Sequence, residues 1–221
     1  MSFVNCPNCN AQIKGGLFNS NKLLKDIDIL IINEANNTNK DAYCDKCGFH
    51  LIGPSSLIFA EKISKLKEDI VNSLSEMLTT SIESPYNWNY KVLGLVTSQS
   101  VTGTGVFSEI SMTINDMFGS ESNSMNKKIK DAEQLCLARL KKSAREVGGN
   151  AIVGLDIDYS EVGSLRGMMM VCCTGTAVVV ENTDVFSDKV NDALKSVDYD
   201  TAELTRLIEI HNKCVQSQHL A

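Results

Sequence analysis

Four of the chain's eight cysteines stand in two C-x-x-C pairs, Cys6-Pro7-Asn8-Cys9 and Cys44-Asp45-Lys46-Cys47. A knuckle turn at each pair points two sulfurs the same way, and two knuckles supply the four thiolates of a closed tetrahedral zinc site. Gly48 follows the second pair and offers permissive backbone there. A single C-x-x-C would leave thioredoxin-like redox chemistry open. Two pairs in a segment with little other core favour Zn(2+) bound by Cys6, Cys9, Cys44 and Cys47. His50 lies beyond a complete set of four ligands and reads as a surface residue or one that touches a ligand.

Other residues could do chemistry, each with a plainer alternative. Asp156 and Asp158 lie on one side of an alternating segment, about 7 Å apart, close enough to hold a hard cation or share a proton. With no third acid or histidine at hand, a solvated strand face or intersubunit hydrogen bonding is preferred. Cys172 and Cys173 are adjacent on a strand, so they point to opposite faces and cannot chelate one ion together. Cys136 falls on a helix's apolar stripe and reads as an inert core thiol. His211 and Cys214 share a helical face, but two ligands alone are weak evidence for metal. Gly103-x-Gly105 lacks the continuation of a phosphate loop.

The elements that must position these groups follow from periodicity. Between the cysteine pairs, KLLKDIDILIINEANNTN is apolar enough to cover the metal site as a helix or strand. The spacing between the pairs exceeds the roughly 15 to 20 residues usual for zinc modules. Gly53-Pro54-Ser55-Ser56 reads as a boundary with a helix after it, carrying Phe59, Ile63, Leu66, Ile70, Leu74 and Met77 on one stripe. Tyr90 to Val101 predicts a strand with apolar residues on both faces: Val92 and Val96 on one, Leu93 and Leu95 on the other. Two helices follow, the first with Phe107, Ile110, Ile114, Met117 and Phe118, the second over 126–147 and stopped by Gly148-Gly149. AIVGLDIDY alternates as a strand with Ala151, Val153, Leu155, Ile157 and Tyr159 on one side. A hairpin loop then leads to a last strand, Met168 to Glu181. Two helices, 183–197 and 200–215, close the chain, the second opening on Asp200-x-x-Glu203.

Composition narrows the function classes. A chain with 43% hydrophobic residues and a net charge of −6 offers no basic field for phosphate backbones. Residues 1–53 carry as many acidic as basic side chains, so nucleic acid is disfavoured as a partner. No apolar run approaches the roughly 20 residues needed to cross a bilayer. Cysteines in metal-type pairs suit a reducing compartment, so a cytoplasmic protein is expected, without a membrane partner. No nucleophile, base and orienting group stand at motif spacing, so no enzyme is expected.

Two resemblances sharpen this. Residues 1–53 resemble a zinc ribbon or a related module. GLVTSQSV, the helix ending in MFG, the run AREVGGNAIVGLDIDYSEVG and the strand MMMVCCTGTAVVV are together similar to the YbjQ-like domains, described as heavy-metal-binding. This second resemblance covers about residues 90–181 and implies a compact β-α-α-β-β subunit that assembles as a homopentamer. It supplies no ligand set that maps onto this sequence.

The expected fold class is α+β, in four parts: a zinc-ribbon-like four-cysteine module over 1–53, an amphipathic helix and linker over 54–85, a YbjQ-like domain over 86–182, and C-terminal helices over 183–221. The expected function is a non-enzymatic, oligomeric metal-binding or scaffold protein with structural zinc. The alternative is an adaptor whose zinc module binds a protein or nucleic-acid partner.

Overall fold

Helix formation begins at the second cysteine pair itself, because the Cys44 carbonyl accepts the N–H groups of Cys47 and Gly48 at 3.1 and 2.7 Å. In the computed structural model, which describes residues 3–14, 20–101, 122–161 and 169–219 (backbone alone for 122–125 and 214–219), the chain divides into two units. One is Met1–Ile70 with Asp198–Ala221; the other is Val71–Val197.

The first unit is built on α1 (Asp26–Asn36) and α2 (Asp45–Ser75), joined by the C-terminal part of α4 (Asp188–His219). The segment expected to cover the cysteines is helical, ended by Asn37 in the left-handed conformation with its N–H on the Asn33 carbonyl. Its residues serve two cores. Ile29 and Ile32 pack with Ala42 and Tyr43, joined by Phe3, Leu23, Leu24, Cys47, Leu51 and Ile52. Ile27 and Ile31 pack with Phe59 and Leu207, joined by Ile63, Leu66 and Ile210. Fully burying a large apolar side chain such as Ile32 or Leu207 contributes about 1.5–3 kcal/mol. An ionic clasp lies beside the second core, where Arg206 donates two hydrogen bonds to Glu34 at 2.7 and 2.9 Å and two to Glu203 at 2.8 Å. Lys62 reaches Glu34 at 2.6 Å.

Two boundaries differ from expectation. The α2 helix runs straight through Gly53-Pro54 instead of starting after them. Pro54 removes one helical hydrogen bond, but Ser55, which is buried, takes the Asn36 amide at 2.9 Å, and Phe59 is anchored in the core one turn later. Tertiary packing outweighs the local break. Likewise, the two expected C-terminal helices are one, preceded by a short 3-10 turn, Thr183–Val185. Glu203, read from the sequence as lying in the first turn of the second helix, is engaged by Arg206.

In the second unit, β1 (Leu78–Thr79), β2 (Tyr90–Val101), β3 (Ala151–Glu161) and β4 (Met169–Val180) form a mixed sheet in the order β1-β3-β4-β2. β1 runs parallel to β3, while β4 is antiparallel to both β2 and β3. The helix α3 (Ser122–Glu146) packs on the sheet through Ala132, Cys136, Leu140 and Ala144, all fully buried. The first of the two helices expected between β2 and β3, with the Gly103 turn, and the loop before β4 lie outside the described residues.

Bulges reset both strand alternations. β2 shifts register between Val92 and Gly94, whose φ of 149° favours glycine. Beyond the bulge, Val96, Ser98 and Ser100 are buried while Leu95, Thr97 and Gln99 are exposed. Val92 is exposed and does not share the buried face of Val96. β3 shifts between Val153 and Asp156, where Gly154 has a φ of 61° and the N–H groups of Gly154 and Leu155 turn to the carbonyls of Ile82 and Thr80. The expected single apolar face through Val153, Leu155 and Tyr159 is therefore broken. Asp156 and Asp158 continue the side of Val153, because all three stand opposite alternate residues of β4, namely Thr176, Thr174 and Cys172.

Candidate metal centre

The first cysteine pair sits in a small hairpin. Asn5 and Gln12 bridge its arms, Cys6 N–H donates to the Ala11 carbonyl at 2.8 Å, and Asn10 closes the knuckle with a φ of 59° while donating to the Cys6 carbonyl. An asparagine tolerates that left-handed backbone. The second pair is the first turn of α2, held by a bridge between Leu23 and Cys44 and by Asp45, whose carboxylate accepts the Lys22 N–H at 3.1 Å. Gly48 makes room here, because a Cβ would meet the Leu24 side chain, which would have to shift, and stand 3.3 Å from Tyr43 Cβ. The reason is close approach, not the backbone freedom read from the sequence.

The four sulfurs converge. Sγ of Cys9 lies 3.6 Å from that of Cys44, Cys6 lies 3.7 Å from Cys47, and Cys44 lies 3.8 Å from Cys47. All four ligand atoms lie within 4.8 Å of one another. A tetrahedral site with metal–sulfur bonds of ~2.3 Å has sulfurs about 3.8 Å apart. The donor set thus fits one tetrahedral, thiophilic cation, and it is the one cluster of three or more potential ligands among the described residues.

Electrostatics agree with the geometry. Burial works to raise the Cys44 thiol, but the Cys47 N–H, the Asn21 amide and the neighbouring thiols outweigh it and bring it down to about 6. The Ala11 N–H favours the Cys9 thiolate, yet desolvation and the sulfurs of Cys44, Cys47 and Cys6 push it up to about 12. Sulfurs this close cannot all ionise without a compensating cation, and a bound metal removes that conflict. Cys44 and Cys47 also stand at a helix N-terminus, which stabilises thiolates.

Sequence reasoning missed Asn21. It is 2% exposed, donates to the Gln12 carbonyl at 3.0 Å and accepts the Lys46 N–H at 3.4 Å, tying the hairpin to the second knuckle. No spacing rule marks it, since its partners are backbone groups far along the chain.

The remaining candidates are dispersed. His50 is exposed, its ring edge-on to Phe49. Asp156 and Asp158 are exposed on the sheet. Cys172 stands opposite Gln99 and Asp158, whereas Cys173 stands opposite Ser98 and Ile157, so the two thiols do take opposite faces. Burial, with Cys136 beside it, pushes the Cys173 thiol up to about 12. Cys136 is saturated by Ser98 Oγ and the carbonyls of Ser98 and Val171 at 3.2 to 3.4 Å, as befits a core thiol. His211 is exposed, and the Cys214 side chain lies outside the described residues.

The four-cysteine cluster could hold one metal ion and is separate in sequence from the sheet domain. Residues 77–181 match the family model YbjQ_1, whose description is "Putative heavy-metal-binding". The matched stretch contains none of the four clustered cysteines. Among solved structures, the chain is similar to a protein of unknown function of the DUF74 family from Pediococcus pentosaceus ATCC 25745. The identity is 22%, over 48% of this chain and 98% of that one, with a TM-score of 0.31. No helix among the described residues is long and apolar enough to cross a membrane.

Proposed function

We propose that this chain is a non-enzymatic metal-binding scaffold of the cytoplasm, in which one zinc ion held by Cys6, Cys9, Cys44 and Cys47 organises the first unit and the YbjQ-type domain assembles copies of the chain. The observation that carries the metal part is the approach of sulfurs from both knuckles to 3.6–3.8 Å, the edge length of a zinc–thiolate tetrahedron. Zinc suits four thiolates in a closed, redox-silent geometry. In the bound state the metal supplies folding free energy, while Asn21 and the Ala11 and Cys47 N–H groups orient the sulfurs.

Self-association is supported by β2. Among the described residues it is paired on one side alone, and Val92, Leu93 and Leu95 on it are exposed. A long edge strand with exposed apolar side chains is a template for another chain. The family resemblance makes five the expected subunit number. Native mass spectrometry of chain expressed in zinc-replete medium tests both parts, with one zinc per subunit in a pentamer expected. Metal-free subunits with an intact first unit would refute the zinc site, and a monomer at micromolar concentration would refute the assembly.

A further inference from the structure

The four sulfurs are not equally accessible. Cys6 and Cys44 are buried, Cys47 is half-buried and Cys9 is exposed. The shortest approaches run between the knuckles, slightly inside the 3.8 Å that separates Cys44 from Cys47 within one. The hairpin's Cys9 faces Cys44 of the helix at 3.6 Å, and the hairpin's Cys6 faces Cys47 at 3.7 Å. Metal-bound thiolates keep nucleophilic character, and accessibility selects which one an oxidant meets first.

We infer that the cluster is a redox-convertible site, in which a hydroperoxide oxidises Cys9 first and the reaction ends in the crossed disulfides Cys9–Cys44 and Cys6–Cys47 with release of the metal. The release, and the order in which Cys9 reacts first as a metal-held thiolate, depend on the zinc reading above; the pairing of the sulfurs does not. In the first step the Cys9 thiolate attacks a peroxide oxygen, the O–O bond breaks, and Cys9 becomes a sulfenic acid while an alcohol or water leaves. The Cys44 thiolate then attacks the Cys9 sulfur, the S–O bond breaks, and hydroxide departs as water after protonation. Two thiolates, one hydroperoxide and two protons thus give one disulfide, one alcohol and one water. A second hydroperoxide repeats this at Cys47, the more accessible of the remaining pair, with Cys6 resolving.

The crossed pattern has a structural consequence. Links within each knuckle would leave the hairpin and α2 joined by hydrogen bonds alone, whereas crossed links replace the metal as a strong tie. Cys136 and Cys173, being fully buried, stay out of the reaction. A dithiol reductant restores the four thiols, so the site cycles between metal-bound and oxidised forms.

The test titrates the zinc-loaded full chain with hydrogen peroxide, maps disulfides by mass spectrometry of non-reduced digests, and follows zinc with a chromogenic chelator. The first linked peptide is expected to join Cys9 to Cys44, the second Cys6 to Cys47, with zinc release tracking the first link. Cys9→Ser should slow peroxide-driven zinc release by about tenfold or more, because the accessible thiolate is gone. Cys172→Ser should leave it unchanged. Predominant Cys6–Cys9 or Cys44–Cys47 links, or first oxidation at Cys172, would overturn the proposal. A chain that never carries zinc would refute the metal reading instead, while the disulfide map of the wild-type chain still decides this one.

Discussion

Asn21 and Gly48 do more for the cysteine cluster than their residue types announce. Replacing Asn21 with Ala leaves the Gln12 carbonyl and the Lys46 N–H without their side-chain partner. Removing a group that supports the ligands typically costs about 10- to 100-fold in metal affinity. Competition with a chromogenic chelator should therefore show Asn21→Ala yielding its metal at lower chelator concentration than wild type, and equal affinity would mean the ligands are set without it. Gly48→Ala places a Cβ against Leu24 and Tyr43, and overpacking of this kind costs about 1–3 kcal/mol. Denaturant unfolding with metal present should show that loss; an unchanged midpoint would show that Leu24 moves aside freely. The four clustered cysteines were legible because each C-x-x-C pair is local in the sequence. Asn21 was not, because its role is created by backbone partners that only the fold brings near.

At the scale of elements, α1 is the hinge of the first unit's packing, and the Glu34–Arg206 clasp fastens α4 to it. Hydrogen bonds from Arg206, with help from Lys62 and against the cost of desolvation, hold the Glu34 carboxyl down from an ordinary 4.5 to about 2. A depressed carboxylate contributes stability that is fully present above the unfolded value and lost as pH falls through the folded one. The clasp should thus weaken between about pH 4.5 and about pH 2. Arg206→Ala should lower stability at neutral pH and flatten the acid dependence in that window, read by circular dichroism across a pH series. Identical acid profiles for variant and wild type would remove the clasp from the account. Helix and strand identities were readable from period, as Phe59, Ile63 and Leu66 on α2 show. Breaks in period were not. The Gly94 and Gly154 bulges each shift a strand's facing, and the helix continuing through Pro54 depends on contacts from Asn36 and the core that lie elsewhere in the chain.

At the scale of the whole molecule, a four-cysteine cluster and a sheet domain share one chain, and the proposed assembly runs through the sheet. Leu95 is 76% exposed on β2, and Leu95→Lys places a charge where a second copy would pack, a change edge strands use to avoid pairing. Light scattering should report smaller particles for Leu95→Lys than for wild type with the metal content of each unchanged; equal sizes would move the interface away from this edge. The assignment of the metal to the N-terminal cysteines is the central claim, and X-ray absorption at the zinc edge tests it most directly. The expected spectrum has four sulfur neighbours at ~2.3 Å and no lighter ligand. Nitrogen or oxygen neighbours at about 2.0–2.1 Å in place of sulfur would contradict it.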